Sequence, residues 1–193
     1  LAILFGVLVI VGMNSLLPAF TRAFQANVLA AADKVDATIT LKTSDAFDAA
    51  VAERVAAVEG VRVVSGLLNR TVNLPADYLD NDPTLPDPAA ALSLVGVNVA
   101  QATALHAYNV IDGRFLNDGD ASVTVISESL AEMVGLGVGD TLTLPSAVGE
   151  TTLTIVGLLP RRAQLGNEEV LVTLGQAQTM LDMPGRVNTI EAN

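Results

Sequence analysis

Residues 1–21 read LAILFGVLVIVGMNSLLPAFT and carry no charged side chain. A bilayer core is about 30 Å thick and needs roughly 20 apolar residues to span it as a helix. The run meets that length, and the remainder of the chain reads as a water-soluble α+β domain. The sequence therefore predicts one membrane anchor followed by one domain beside the membrane. A signal peptide and a buried soluble helix are the competing readings. A signal peptide would have a basic start and a shorter apolar core, and no basic start is visible here. Pro18 falls late in the run, where a kink is tolerable if neighbours satisfy the freed carbonyl. Asn14 and Ser15 are polar at membrane depth and suit packing against other membrane helices.

From Arg22 the helix is expected to continue through Ala32, because residues 23–32 contain no Gly or Pro. This gives a boundary between a membrane helix with its extension over 1–32 and a core domain over 33–193. The net acidic flank of Asp33, Lys34 and Asp36 does not resemble a positive-inside flank, so residue 1 is expected on the cytoplasmic side and Asp33 outside.

Beyond the boundary, Val35, Ala37, Ile39 and Leu41 alternate with Asp36, Thr38, Thr40 and Lys42, the pattern of a half-buried strand. Ser44 and Asp45 suit a helix N-cap. Phe47, Val51, Val55 and Val58 then follow at helical spacing up to Gly60. Residues 61–74 are rich in β-formers, with Gly66 as an expected bend or bulge. Residues 74–88, LPADYLDNDPTLPDP, combine four prolines with Asp77, Asp80, Asp82 and Asp87, and predict an exposed loop.

Further strands are expected at 91–97, 121–127, 141–144, 151–159, 170–174 and 187–191, with 141–144 and 151–159 paired as a hairpin. Short helices are expected at 100–108, 127–134 and 176–181. Strands and helices mix without a regular βαβ repeat, which predicts an α+β fold and not a doubly wound sheet.

Chemistry is sparse. The net charge is −11, with Lys34 and Lys42 the only lysines, and such a surface disfavours nucleic acid and anionic headgroups. The absence of cysteine excludes disulfides and thiolate chemistry. Gly135, Gly137 and Gly139 superficially match a phosphate loop, but the dinucleotide pattern needs a different spacing between a strand and a long helix. A tight turn is the better reading. His106 stands alone, so no two-histidine metal motif forms. Ser127, Glu128 and Ser129 lack a nucleophile elbow, and Ser127 suits a helix cap. The aspartates of the 74–88 loop do not match a calcium loop. No catalytic, cofactor-binding or metal-binding residue is expected, and the chain is not read as an enzyme. Gly113 and Gly139 are singled out as structural turn residues.

The order of motifs says more. After the apolar helix come residues 35–41, Val58-Glu-Gly-Val-Arg-Val-Val64 and Leu94-Val-Gly-Val-Asn98. Next come Asn109-Val-Ile-Asp-Gly-Arg-Phe-Leu116 and Val123-Thr-Val-Ile-Ser-Glu-Ser-Leu-Ala131. Leu136-Gly-Val-Gly-Asp-Thr-Leu142, Thr154-Ile-Val-Gly-Leu158 and Val170-Leu-Val-Thr-Leu174 with Ala177-Gln178 complete the series. This order resembles the extracytoplasmic core domain of MacB/FtsX-like ABC transporter permeases. The resemblance implies four membrane helices with the outer domain between the first and second, so this chain is read as a C-terminally incomplete fragment. It implies an inner-membrane protein whose partners are an ABC ATPase subunit or domain, the lipid bilayer and a second permease copy. A periplasmic adaptor, a lipoprotein or a hydrolase would be the outer partner. The implied function is to couple cytoplasmic ATP hydrolysis mechanically to efflux or lipoprotein release. The alternative is an FtsX-like module that docks and activates a cell-wall hydrolase.

Overall fold

In the computed structural model, the described residues are 34–75, 78, 91–161 and 168–193. They cluster into one compact unit, Lys34–Asn193. The apolar run and its expected extension to Ala32 lie outside them, as does most of the 74–88 loop. Among the described residues no helix is long and apolar enough to cross a membrane.

The strands, in chain order, are β1 Ala37–Thr40, β2 Phe47–Asp48, β3 Val64–Asn73, β4 Ala91–Val97, β5 Asp112–Gly113, β6 Val123–Ser127, β7 Thr141–Ser146, β8 Gly149–Leu159, β9 Glu169–Thr173, β10 Arg186–Val187 and β11 Thr189–Ala192. The helices are α1 Val51–Ala56, α2 Val99–Leu105, α3 Glu128–Val134 and α4 Leu174–Met180. One large sheet runs in the order β1-β11-β3-β4-β9-β6-β8-β5, with β7 paired to β8. Most pairings are antiparallel. Among the described residues only β4 with β9 and β6 with β8 are parallel. The mixed α+β architecture is thus as the sequence predicts.

Alternation along the central strands separates two cores. Leu92, Leu94, Val170, Val172 and Ile126 point to one face, where Leu130, Ala177 and Met180 of α3 and α4 meet them. Val95, Val97, Leu171 and Val125 point to the other, under Val99 and Ala102 of α2 and Leu116. A period-2 pattern apolar on both sides belongs to strands covered on both faces. α4 approaches β4 closely: a Cβ on Gly96 would lie 2.3 Å from that of Ala177.

Three local expectations change. The helix predicted from Ser44 is shorter, because Phe47 and Asp48 pair with Val187 and Arg186 as β2–β10. Ser44 has φ +57° and caps nothing; α1 starts only after Ala50. Tertiary pairing overrides the helical spacing there. Gly66 is no bulge but lies in regular register opposite Ile190, with Val187 packed 3.1 Å from where its Cβ would be. β1 is not half-buried: all four of its residues are exposed, and among the described residues its one strand neighbour is β11.

Candidate functional site

The described domain begins at Lys34, and that point is tied down. The Lys34 amide donates to the Leu105 carbonyl at the end of α2, at 2.7 Å. The Asp36 amide donates to Ala192 of β11 at 2.9 Å. Asn193 then binds both neighbours: its Nδ2 donates to the Lys34 carbonyl at 2.6 Å and to Asp36 Oδ2 at 3.1 Å. Its backbone is held on the other side by Arg62 and Val63, before β3. One step along, Glu191 Oε2 lies 2.6 Å from His106 Nε2, both side chains being mostly buried. The His106 ring leans on Tyr108, and Tyr108 stacks on Phe115 with centroids 4.2 Å apart. The isolated histidine of the sequence therefore belongs to a brace between α2 and β11. Lys34 is thus bonded to the end of α2 and, through Asn193, linked to the chain before β3.

A second cluster joins β6, α3 and β9. Ser127 caps α3 by accepting from the Leu130 amide, as its position in the sequence suggests. Its hydroxyl also donates to Glu168 Oε2, and Ser129 Oγ donates to the same oxygen at 3.0 Å. Glu168 is fully buried, and among the described residues its Oε1 has no hydrogen-bond partner. A buried carboxylate is costly unless hydrogen-bonded, so the two hydroxyls are needed where they are. Glu128, grouped with these serines in the sequence, instead faces outward toward Arg161 at 3.8 Å. Among the described residues the side-chain partners of Ser127 are Glu168 and Ser129.

Among the singled-out glycines, Gly113 has φ +72°, and a Cβ there would lie 2.3 Å from the Val156 carbonyl oxygen. Gly139 has φ +98° with open space around it. Its turn is closed by the Gly139 amide on Ile155 and by Asp140 Oδ2 accepting from Gly137. No anion-binding cradle forms in it: Gly135 ends α3 in the left-handed region, and β7 follows the turn. Next to Gly113, Arg114 donates to both carboxylate oxygens of Asp120, which hold it at 2.7 and 3.1 Å.

Asp77, Asp80, Asp82 and Asp87 lie outside the described residues. Tyr78, between them, packs with Leu74 against the core. It borders a cavity of about 260 Å³ lined by Val134, Leu136 and residues 141–143. Burial, with the nearby Glu150 charge, pushes its hydroxyl up to about 12. The base of the 74–88 loop is therefore anchored. Sequence reasoning missed this anchor, and also the Glu168 cluster, whose partners lie 41 and 39 positions apart.

A model of the MacB-like periplasmic core domain matches residues 1–193. The chain is 27% identical over 138 residues to an uncharacterised ABC transporter permease protein of Mycobacterium tuberculosis, Rv0987, covering 69% of this chain and 14% of that one. It spans only that small share of its relative. Among solved structures it is similar to the extracellular domain of the noncanonic ABC-type transporter YknZ from Gram-positive bacteria, with TM-score 0.58 and 16% identity over 81% of each chain. The periplasmic region of MacB from Actinobacillus actinomycetemcomitans is also similar, with TM-score 0.53 and 13% identity over 80% of this chain and 65% of that one. At these identities the structures speak for the fold.

Proposed function

The chain belongs to the MacB-like periplasmic core domain family, and from that premise we propose that it is the outer part of an ABC transporter permease in the cell membrane. The family is a permease component and not an enzyme. In this reading residues 1–32 anchor the chain and 33–193 stand outside. An ABC ATPase hydrolyses ATP on the cytoplasmic side, and the anchor carries the resulting movement into the domain. The domain then does mechanical work on an extracytoplasmic partner, as export or as release of a lipoprotein.

The observation that carries this reading is the clamp at Lys34. A segment meant only as a tether needs no more than a flexible joint. Here the entering backbone is bonded to α2 and β11, and through Asn193 it is coupled to the chain before β3. Such a joint transmits displacement because its neighbours are close-packed and move as a body. Asn193→Ala removes both side-chain bonds while sparing the ladder. In the complete permease with its ATPase, this variant is expected to lower export per ATP hydrolysed while the domain stays folded by circular dichroism. Wild-type export per ATP would sink the coupling role of the joint.

A further inference from the structure

We propose that the crevice beyond the ends of β4 and β9 is a binding site for a small organic cation, an ammonium group on a short apolar body. The proposal does not depend on the permease reading, because the crevice lies wholly within the described domain.

The topology opens this crevice. β4 and β9 are parallel neighbours whose last residues, Val97 and Thr173, stand level in the ladder. At that level the two chains part. Asn98 leads into α2, whose Val99 and Ala102 pack on one face of the sheet. Thr173 leads into α4, whose Ala177 and Met180 pack on the other. Parallel strands that send their helices to opposite faces leave a gap outside their carboxyl ends, which is where open α/β sheets hold their ligands. β3 runs past the end of β4 there, since Leu67 is already opposite Val97 and Val64 to Gly66 lie beyond it.

Two cavities occupy the gap. The larger, about 340 Å³, lies among Gly66 of β3, Ala52 and Glu53 of α1, and Gln101 of α2. The smaller, about 160 Å³, lies among Val97, Asp118 and Gly175. Asn98 and Leu174 border both. The larger one falls at the low end of small-molecule sites, about 300–1,000 Å³, so the ligand is short.

The lining selects its chemistry. Gln101 Oε1 is buried and has no hydrogen-bond partner among the described residues. A buried acceptor left without a donor is costly, and a ligand N–H would supply one. Asn98 stands at the N-cap of α2, where asparagine ordinarily caps, yet its side chain makes no cap bond. Thr173, in the same position before α4, does accept from the Gln176 amide. The charged residues of the lining are Glu53 and Asp118, and among the described residues no lysine or arginine borders either cavity. Carboxylates at a cleft with apolar walls concentrate cations in it. An anion would meet two like charges and no opposite one, whereas an ammonium group meets an unpaired carbonyl and a negative rim.

The test is a titration of the 193-residue chain, isotope-labelled in detergent micelles, followed by amide NMR. The probes are n-butylammonium chloride and sodium butyrate, which share a short apolar body and differ in the charge of the head. Butylammonium is expected to shift the amides of Asn98, Gln101 and Leu174 saturably, and butyrate to leave them in place. Gln101→Leu keeps the bulk and removes the acceptor, and is expected to raise the butylammonium Kd several-fold. Glu53→Gln is expected to raise it as well and to make binding less sensitive to added salt. Gly175→Leu places a side chain in the smaller cavity, where a Cβ meets nothing within 4 Å, and is expected to fold and to weaken binding. Butyrate shifting the same amides equally overturns the proposal. So do butylammonium shifts that spread over the acidic surface without saturating, or an unchanged Kd in Gln101→Leu. If Gln101→Leu does not fold, the exposed Glu53→Gln decides in its place, and an unchanged Kd there overturns the proposal.

Discussion

A methyl group at Gly113 would meet the Val156 carbonyl oxygen at 2.3 Å in a backbone already at φ +72°. Gly139 has the unusual φ without the clash. Gly113→Ala is therefore expected to cost about 2–3 kcal/mol, from strain and displaced backbone together, and Gly139→Ala about 1 kcal/mol from strain alone. Urea unfolding of residues 34–193 measures both, and equal costs would refute the distinction. Val-Gly-Asp is a local turn signal at Gly139, whereas Gly113, expected in a turn, lies in β5 beside Gly157 of β8, a close approach that no local signal announces. The Glu168 cluster is not legible, because nothing near Ser127 announces a carboxylate that arrives with β9. Ser127→Ala removes a helix cap and one of the two hydroxyls on a buried carboxylate, and is expected to cost about 2–3 kcal/mol. A loss below half of that in the same assay would mean that Glu168 finds another donor.

Elements were legible where one covalent stretch carries its own pattern. The β7–β8 hairpin, β4 and α3 follow from alternation, turn residues and a serine cap. They failed where a distant partner decides: β2 exists because β10 lies beside it, and β1 is exposed because it ends the sheet. The segment after β5 is held by Arg114 and Asp120. The Arg114 hydrogen bonds keep the Asp120 carboxyl below the usual carboxylate range. A carboxyl lowered by folding contributes stability above its unfolded value, about 3.9, and loses it as pH falls through the folded value. Arg114 is partly exposed, so screening keeps the effect small. Arg114→Ala is expected to give a flatter fall in stability below about pH 4, and an unchanged slope in acid unfolding would count against the pair. The loop after β3 has a packed foot and an acidic, proline-rich remainder. Replacing residues 79–88 with a Gly/Ser linker is expected to leave the melting temperature nearly unchanged. Tyr78→Ala, which empties a place against Leu74 and the core, is expected to cost about 1–3 kcal/mol. A linker variant that melts well below wild type would show that the loop beyond Tyr78 contributes to the core.

For the whole molecule, the family membership and the α+β class were readable from the order of motifs, because that order spans the chain. The joint was not readable, because it is made of residues from both ends of the domain. Lys34 and Asn193 stand side by side just beyond the adjoining ends of the antiparallel strands β1 and β11. Their placement sets how the domain answers to direction. If the two points are drawn apart, the load falls on the first hydrogen bonds between β1 and β11, and the strands peel like a zipper, one pair at a time. If the two points travel together, no bond is stretched against its neighbour and the sheet is carried along whole. In an optical trap, handles at residues 34 and 193 should open the domain at much lower force than handles at 34 and 113, which lie at opposite edges of the sheet. A domain built this way is stiff toward a concerted stroke and yielding toward a differential one, a mechanical rectifier set by where two strands end.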